Sequence, residues 1–322
     1  MIYIIDFGSQ VTQLIARRVR EQGVYCEIIS HKNAYKVVTN NKTNGIILSG
    51  GPASVHVSNT PKLDQRIYKL GISILGICYG MQLLVNQLGG KVITSSKREF
   101  GKTAINANYK NLLFGSLKQN NKKKSIVWMS HGDKVVKLPK GFKSIASSYN
   151  TKFVAIENIE RKFYGLQFHP EVIHTDDGSK IIKNFIFKIA KCKKNWSMKN
   201  HLQTQKKIIR ESVGSNHVIC GLSGGVDSTV TAAIISKAIG RRLTCIYVDT
   251  GLMRLNETEE VTSLFKKHFK SKLVIKNSSK EFLKALKNVS DPEKKRKIIG
   301  NLFIKIFDRE AKKISKARYL AQ

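Results

Sequence analysis

Short apolar runs broken by turn residues dominate the first half of the chain, and apolar positions between them recur at helical spacing. Residues 1–5 read as a strand, and Asp6-Phe7-Gly8-Ser9-Gln10 as the turn into a helix whose apolar face is Val11, Leu14, Ile15 and Val19. Residues 25–29, 45–48 and 72–77 predict further strands, the last leading into a helix with Met81, Leu84, Val85 and Leu88 inward. Strand, turn, helix and strand at this pace predict a parallel, helix-covered sheet. From residue 91 to 168 the runs shorten and alternate, at 104–107, 126–129, 144–147 and 153–156, which predicts a β-rich continuation. Asp176 and Asp177 stand where they can cap a helix carrying Ile181, Ile182, Phe185, Ile186 and Ile189.

The polar, basic stretch 191–205 reads as a linker, so the expected domains are 1–195 and 196–322. The second begins with a helix around Ile208, Ile209 and Val213. It continues with a strand at 217–220, a glycine loop, a helix through Ile234, Ile235 and Ile239, and a strand ending at Asp249. The segment 291–300 leads into a helix with Leu302, Phe303 and Ile306 inward. The fold class expected is therefore α/β, with two domains each built on a mainly parallel sheet flanked by helices.

Cys78 falls on the turn between the strand at 72–77 and its helix, with Gly76 and Gly80 two residues to either side. Such a turn lifts a side chain out of the fold, as in a nucleophile elbow, and the helix N-terminus favours a thiolate. A second apolar strand, Tyr164-Gly-Leu-Gln-Phe168, ends in His169-Pro170-Glu171. Proline fixes that turn, so the carboxylate can fold back and hold the imidazole in one tautomer. Thiol, base and orienting acid are then all available for covalent catalysis.

These stretches resemble the glutaminase domain of class I glutamine amidotransferases. The resemblance implies Cys78 as nucleophile, His169 as base and Glu171 as its orienter. It makes Gly50-Gly51-Pro52 the oxyanion loop, with the N–H groups of Gly51 and Tyr79 as donors. It also implies that Gln82, Ser130 and His131 line a glutamine pocket.

In the second half, Gly221-Leu222-Ser223-Gly224-Gly225-Val226-Asp227-Ser228 follows a strand and opens a helix. Paired glycines let backbone N–H groups close round phosphate oxygens; Ser223, Ser228 and Thr229 add hydroxyls, and Asp227 can hold Mg²⁺. The lysine of a Walker loop is missing, which argues against kinase-like γ-phosphoryl transfer. Gly101-Lys102-Thr103 is a decoy, because Ser96 stands where a phosphate loop needs its first glycine. Ser-Gly-Gly-Val-Asp-Ser resembles the pyrophosphate-binding loop of the ATP pyrophosphatase family, which adenylates its substrates, and Asp249 and Arg296 are candidate nucleotide-facing residues.

Glutaminase and ATP pyrophosphatase in this order are similar to the glutamine-hydrolysing GMP synthase family. That resemblance implies glutamine, XMP and Mg·ATP as substrates, with ammonia aminating an adenylated XMP, and no tightly bound organic cofactor. Members of that family continue beyond the Leu-Ala-Gln motif with the rest of the adenylating domain and a C-terminal dimerisation domain. This chain stops at Gln322, so the expectation is an incomplete synthetase half, completed by a separate polypeptide or left exposed. Two alternatives stay open: a glutaminase-only subunit or truncated relic, and a tRNA-modifying adenylating enzyme.

Composition changes this picture little. The formal charge of +35 invites a nucleic-acid reading, but the charge is spread over short runs such as Lys122-Lys123-Lys124 without aromatic interleaving. Abundant Asn, Ile and Lys together indicate compositional bias, and no specific nucleic-acid partner is expected. The five cysteines show no zinc spacing, so no zinc is expected. No apolar run approaches the roughly 20 residues of a membrane span, which makes a cytoplasmic enzyme the default.

Overall fold

Ile2 and Ile4 belong to one apolar core and Tyr3 and Ile5 to another, the two-residue period of a strand buried on both faces. The same split recurs at Ile47 against Ile46 and Leu48, and at Leu75 and Ile77 against Ile74. These strands read as continuous apolar runs because helices cover both faces. The computed structural model describes residues 1–115, 117, 125–315 and 317–321, so the run Lys122, Lys123 and Lys124 lies outside the described residues, as does Gln322. The chain divides into two units, Met1–Ser197 and Met198–Gln322.

The first unit runs β1 (Ile2–Asp6), α1 (Thr12–Glu21), β2 (Cys26–Ser30), α2 (Ala34–Thr39), β3 (Gly45–Leu48), β4 (Ser73–Ile77) and α3 (Tyr79–Gln87). It continues with β5 (Lys91–Ala107), β6 (Ser125–Lys137), β7 (Lys143–Ser147), β8 (Ala155–Asn158), β9 (Phe163–Leu166) and α4 (Gly178–Asn184). Among the described residues the sheet order is β2-β1-β3-β4-β9-β8-β7-β5-β6. The strands from β2 to β9 are mutually parallel, and from β9 to β6 the pairing is antiparallel. The chain leaves β1 for β2 on one side and returns to β3 on the other. The crevice at the carboxyl ends of β1 and β3 is thus a topological switch point, where open α/β sheets bind ligands.

Two local expectations are corrected. The short runs at 104–107 and 126–129 are parts of the long hairpin strands β5 and β6, whose alternation is masked by the buried polar residues Glu99, His131 and Asp133. Asp177 occupies the N-cap of α4 but in a left-handed conformation and without a side-chain cap bond. Its carboxylate pairs with Lys180 instead, and Asp176 Oδ2 accepts from the Ile126 N–H at 3.3 Å.

The second unit comprises α5 (Met198–Val213), β10 (His217–Gly221), α6 (Val226–Ile239), β11 (Leu243–Asp249), α7 (Glu257–His268), β12 (Lys272–Asn277), α8 (Ser279–Leu286), α9 (Pro292–Ala311) and β13 (Ala317–Ala321). Its sheet is parallel in the order β12-β11-β10-β13. The helix α5 begins inside the stretch read as linker. Polar and basic residues fill its exposed face, and that composition disguised it. Asp291 caps α9 by accepting from the Lys294 N–H at 2.7 Å, with Pro292 in the first turn where its missing N–H costs nothing. Among the described residues no helix is long and apolar enough to cross a membrane.

Candidate active site

Cys78 lies between β4 and α3 with φ +50° and ψ −107°, a conformation that costs a non-glycine residue roughly 1–3 kcal/mol. The sharp bend is therefore made by Cys78 itself. The flanking glycines supply room: a Cβ on Gly76 would stand 2.6 Å from the Met81 nitrogen, and one on Gly80 2.4 Å from the Leu48 carbonyl oxygen. Hydrogen bonds from Cys78 N–H to Leu166 O (2.7 Å) and from Gly80 N–H to Ser49 O (3.1 Å) tie the elbow to its neighbours.

The turn after β9 brings His169 and Glu171 to the same place. Its backbone is held by His169 N–H to Trp128 O (3.0 Å), Thr175 Oγ1 to His169 O (2.6 Å) and Arg18 Nε to Glu171 O (2.9 Å). His169 Nδ1 lies 2.8 Å from Glu171 Oε1, and the carboxylate is fully buried. An ionised carboxylate only accepts, so Nδ1 carries the hydrogen and Nε2 is left for the thiol. Burial alone opposes protonation of this imidazole, yet hydrogen bonds with Cys78 and Glu171, and their negative charge, prevail and push its pKa up to about 10. The sulfur also points toward Ser130 O at 3.5 Å and receives Gln167 Nε2 at 3.9 Å.

A thiolate paired to a protonated imidazole offers a nucleophile and a proton donor together. The folded state holds the His169 proton more tightly than an unfolded chain does. The stabilisation it contributes is full below about pH 6.5 and is lost as pH rises through about 10. Covalent catalysis through this pair should accordingly keep its rate through neutral pH and fall on an alkaline limb near 10; a limb near 6.5 in kcat/KM would contradict the pairing.

Two cavities flank Cys78. One of about 300 Å³ includes Gly8, Gln10, Gly51, Trp128 and His169 in its lining. The other, about 320 Å³, holds Gly51, Tyr79, Gln82, Ser130 and His131 in its wall, which brings together the remaining residues expected at a glutamine pocket. Gly51 has to be glycine, since a Cβ there would be 2.8 Å from Phe7 O. His131 is buried, with Nδ1 2.9 Å from Asp133 O and Nε2 3.2 Å from Glu99 Oε2. Burial lowers its pKa, and the Glu99 charge only partly offsets this. Sequence reasoning missed Gln167, Glu99 and Ser54, whose Oγ donates to Asp133 Oδ2 at 2.5 Å. Only Gln167 left a signal, as a polar residue inside an otherwise apolar strand two positions before His169.

In the second unit the glycine loop joins β10 to α6 at the switch point between β10 and β13. Ser223 Oγ and Ser228 Oγ lie 3.0 Å apart, and Thr229 Oγ1 donates to Gly225 O at 2.8 Å. Gly224 has φ +81°, and a Cβ there would meet Val261 at 2.9 Å. Val226 and Asp227 are exposed in the first turn of α6. Asp227 offers a single carboxylate, so Mg²⁺ there would complete its shell with phosphate oxygens and water, as it does when it arrives with ATP. Among the described residues no cluster of three or more His, Cys, Asp or Glu side chains is placed to hold a metal ion. Asp249 caps its own turn, accepting from Gly251 N–H (2.9 Å) and Thr258 Oγ1 (3.0 Å). Arg296 is a solvated partner of Glu293 on α9, at 2.7 Å.

Comparison with known proteins follows the same division. Residues 198–306 match the family model for NAD synthase, and residues 3–189 that for class-I glutamine amidotransferases. Proteins named GMP synthase (glutamine-hydrolysing) from Brachyspira hyodysenteriae and Bradyrhizobium diazoefficiens are 49% and 50% identical to this chain over 321 residues. One from Clostridium botulinum is 48% identical over 322 residues. All of this chain is covered, but it spans only 62%, 58% and 62% of their respective lengths. The amidotransferase match takes in more than half of the chain and every residue around Cys78, so the chain belongs to the class-I glutamine amidotransferase family.

Proposed function

We propose that this chain carries the glutaminase and the ATP-binding part of a GMP synthase, a carbon–nitrogen ligase that uses glutamine as its nitrogen donor. The observation that carries the reading is Cys78 lining one cavity with His169, an imidazole whose Nδ1 is held by the buried Glu171. Cys78 Sγ attacks the amide carbon of glutamine, and the oxyanion forms toward the N–H groups of Gly51 and Tyr79. His169 Nε2 gives its proton to the departing ammonia. The glutamyl thioester is then hydrolysed by water that His169 deprotonates, releasing glutamate.

In the second unit the loop from Ser223 to Thr229 cradles the phosphates of Mg·ATP, with Asp227 on the magnesium. The O2 of XMP attacks the α-phosphorus and pyrophosphate leaves; ammonia then displaces AMP to give GMP. Asp249 and Arg296 take no step in this scheme, since their charges are already engaged within their own segments. A cytoplasmic setting accords with these substrates.

The test is pyrophosphate release from Mg·ATP and ammonium, with and without XMP. Ammonium bypasses Cys78, so the measurement addresses the second unit alone. XMP-dependent release that Asp227→Ala abolishes is the expected result. No release alongside intact glutamine hydrolysis would reduce the function to ammonia supply for another acceptor.

A further inference from the structure

A second acid–imidazole pair is buried beside the glutamine cavity, and no step above uses its carboxylate. Glu99 and His131 are direct cross-strand partners in the β5–β6 hairpin, 6% and 5% exposed. The Asp133 carbonyl oxygen, 2.9 Å from His131 Nδ1, can only accept, so Nδ1 carries a hydrogen. A neutral ring then turns a bare lone pair at Nε2 toward Glu99 Oε2, 3.2 Å away. Out of water, two such lone pairs repel unless a proton lies between them. Nε2 has no aligned hydrogen-bond partner among the described residues. Glu99 is pinned from behind, accepting from Thr151 Oγ1 at 2.5 Å and Ser148 Oγ at 3.3 Å, so it cannot swing clear.

The consequence reaches the nucleophile through two amides. Asp133 O also accepts from Gln82 Nε2 at 2.9 Å, and that same Nε2 donates to Gln167 Oε1 at 3.3 Å. With its oxygen so engaged, Gln167 turns its NH₂ to Cys78 Sγ, 3.9 Å away. The direction of every bond in this chain follows from the carbonyl of Asp133, which two donors share. An N–H aimed at sulfur stabilises a thiolate.

We propose that Glu99 is a positioning residue for hydrolysis at Cys78, a role that rests on the glutaminase reading above. It shares one proton with His131, holds the ring as an Nδ1 donor to Asp133 O, and so fixes the Gln82 and Gln167 amides that orient the sulfur. Glu99→Gln keeps the shape and can donate an amide hydrogen to Nε2, whereas Glu99→Leu leaves Nε2 without a proton source.

¹⁵N-histidine NMR of the full chain, with His131→Gln for assignment, reads the ring directly. Wild type and Glu99→Gln should both show the hydrogen on Nδ1, and Glu99→Gln should hydrolyse glutamine within about threefold of wild type. Glu99→Leu should lose about tenfold or more in kcat with a smaller change in KM. An Nε2–H tautomer in either of the first two proteins, or Glu99→Gln as slow as Glu99→Leu, overturns the proposal. Should Glu99→Leu fail to fold, the tautomer in Glu99→Gln decides alone. A wild type unable to hydrolyse glutamine defeats the glutaminase reading instead, and the tautomer still decides whether the pair holds its proton.

Discussion

Cys78→Ala is expected to abolish glutamine hydrolysis, with a loss of about 10⁴-fold or more, the scale seen when a covalent nucleophile is removed. No other thiol can substitute, because each is buried in an apolar core: Cys26 and Cys192 in that of the first unit, Cys220 and Cys245 in that of the second. His169 and Glu171 stay in place, because their turn is held by Trp128, Thr175 and Arg18 and not by the sulfur. The imidazole should nevertheless titrate at lower pH in the variant, since the Cys78 hydrogen bond is among the interactions that hold its proton. Any pyrophosphate release from Mg·ATP that the second unit carries out on the proposed reading should be untouched. Cys78→Gly should lose hydrolysis equally while being no less stable than Cys78→Ala, because glycine adopts φ +50° without strain. Hydrolysis surviving in either variant would remove Cys78 from the chemistry.

The elbow, the His169-Pro170-Glu171 turn and the glycine loop were legible in the sequence because each is local. A strand end, a tight turn and a few chemically distinctive residues fall within eight residues of one another, and backbone sterics leave them few conformations. The parallel sheet was legible for a related reason: strands buried on both faces read as uninterrupted apolar runs. The polar network beyond Cys78 was not legible. Glu99, His131, Asp133 and Gln167 come from two strands and the bend after a third, and nothing in their own neighbourhoods distinguishes a buried, paired polar side chain from a solvated one. The β5–β6 hairpin was misread as short runs for the same reason, since the polar residues that break its alternation are inside. Asp177 shows the opposite failure. Its residue type suits a helix cap, but the close approach of Gly178 to Pro170 O, where a Cβ would sit, sets the backbone and Lys180 takes the carboxylate.

Gly80→Ala should unfold the first unit's elbow more effectively than any loss of a polar contact. Its Cβ would stand 2.4 Å from Leu48 O, 2.6 Å from Leu48 Cβ and 2.8 Å from Leu48 C, and none of these can rotate away. Leu48 is the last residue of β3, paired in register with Gly76 of β4, so retreat of β3 would part the two strands beside Cys78. Retreat of α3 would break the bond from Gly80 N–H to Ser49 O and shift the turn that carries Gly51. Overpacking with no soft neighbour costs about 3 kcal/mol or more, and a displacement of about 1 Å at the nucleophile is enough to lose roughly 10²-fold in rate. Both tryptophans, Trp128 and Trp196, lie in the first unit, so the denaturant transition in their fluorescence reports its stability separately. Gly300→Ala is the matched control: it lies inside α9 with no atom within 4 Å of its Cβ, and it should leave that transition where it is while stabilising α9 by up to about 1 kcal/mol. A Gly80→Ala protein with an unshifted transition and full hydrolysis would mean that the first turn of α3 is free to move, and the rigidity assigned to the Cys78 elbow would then have to come from the His169 side.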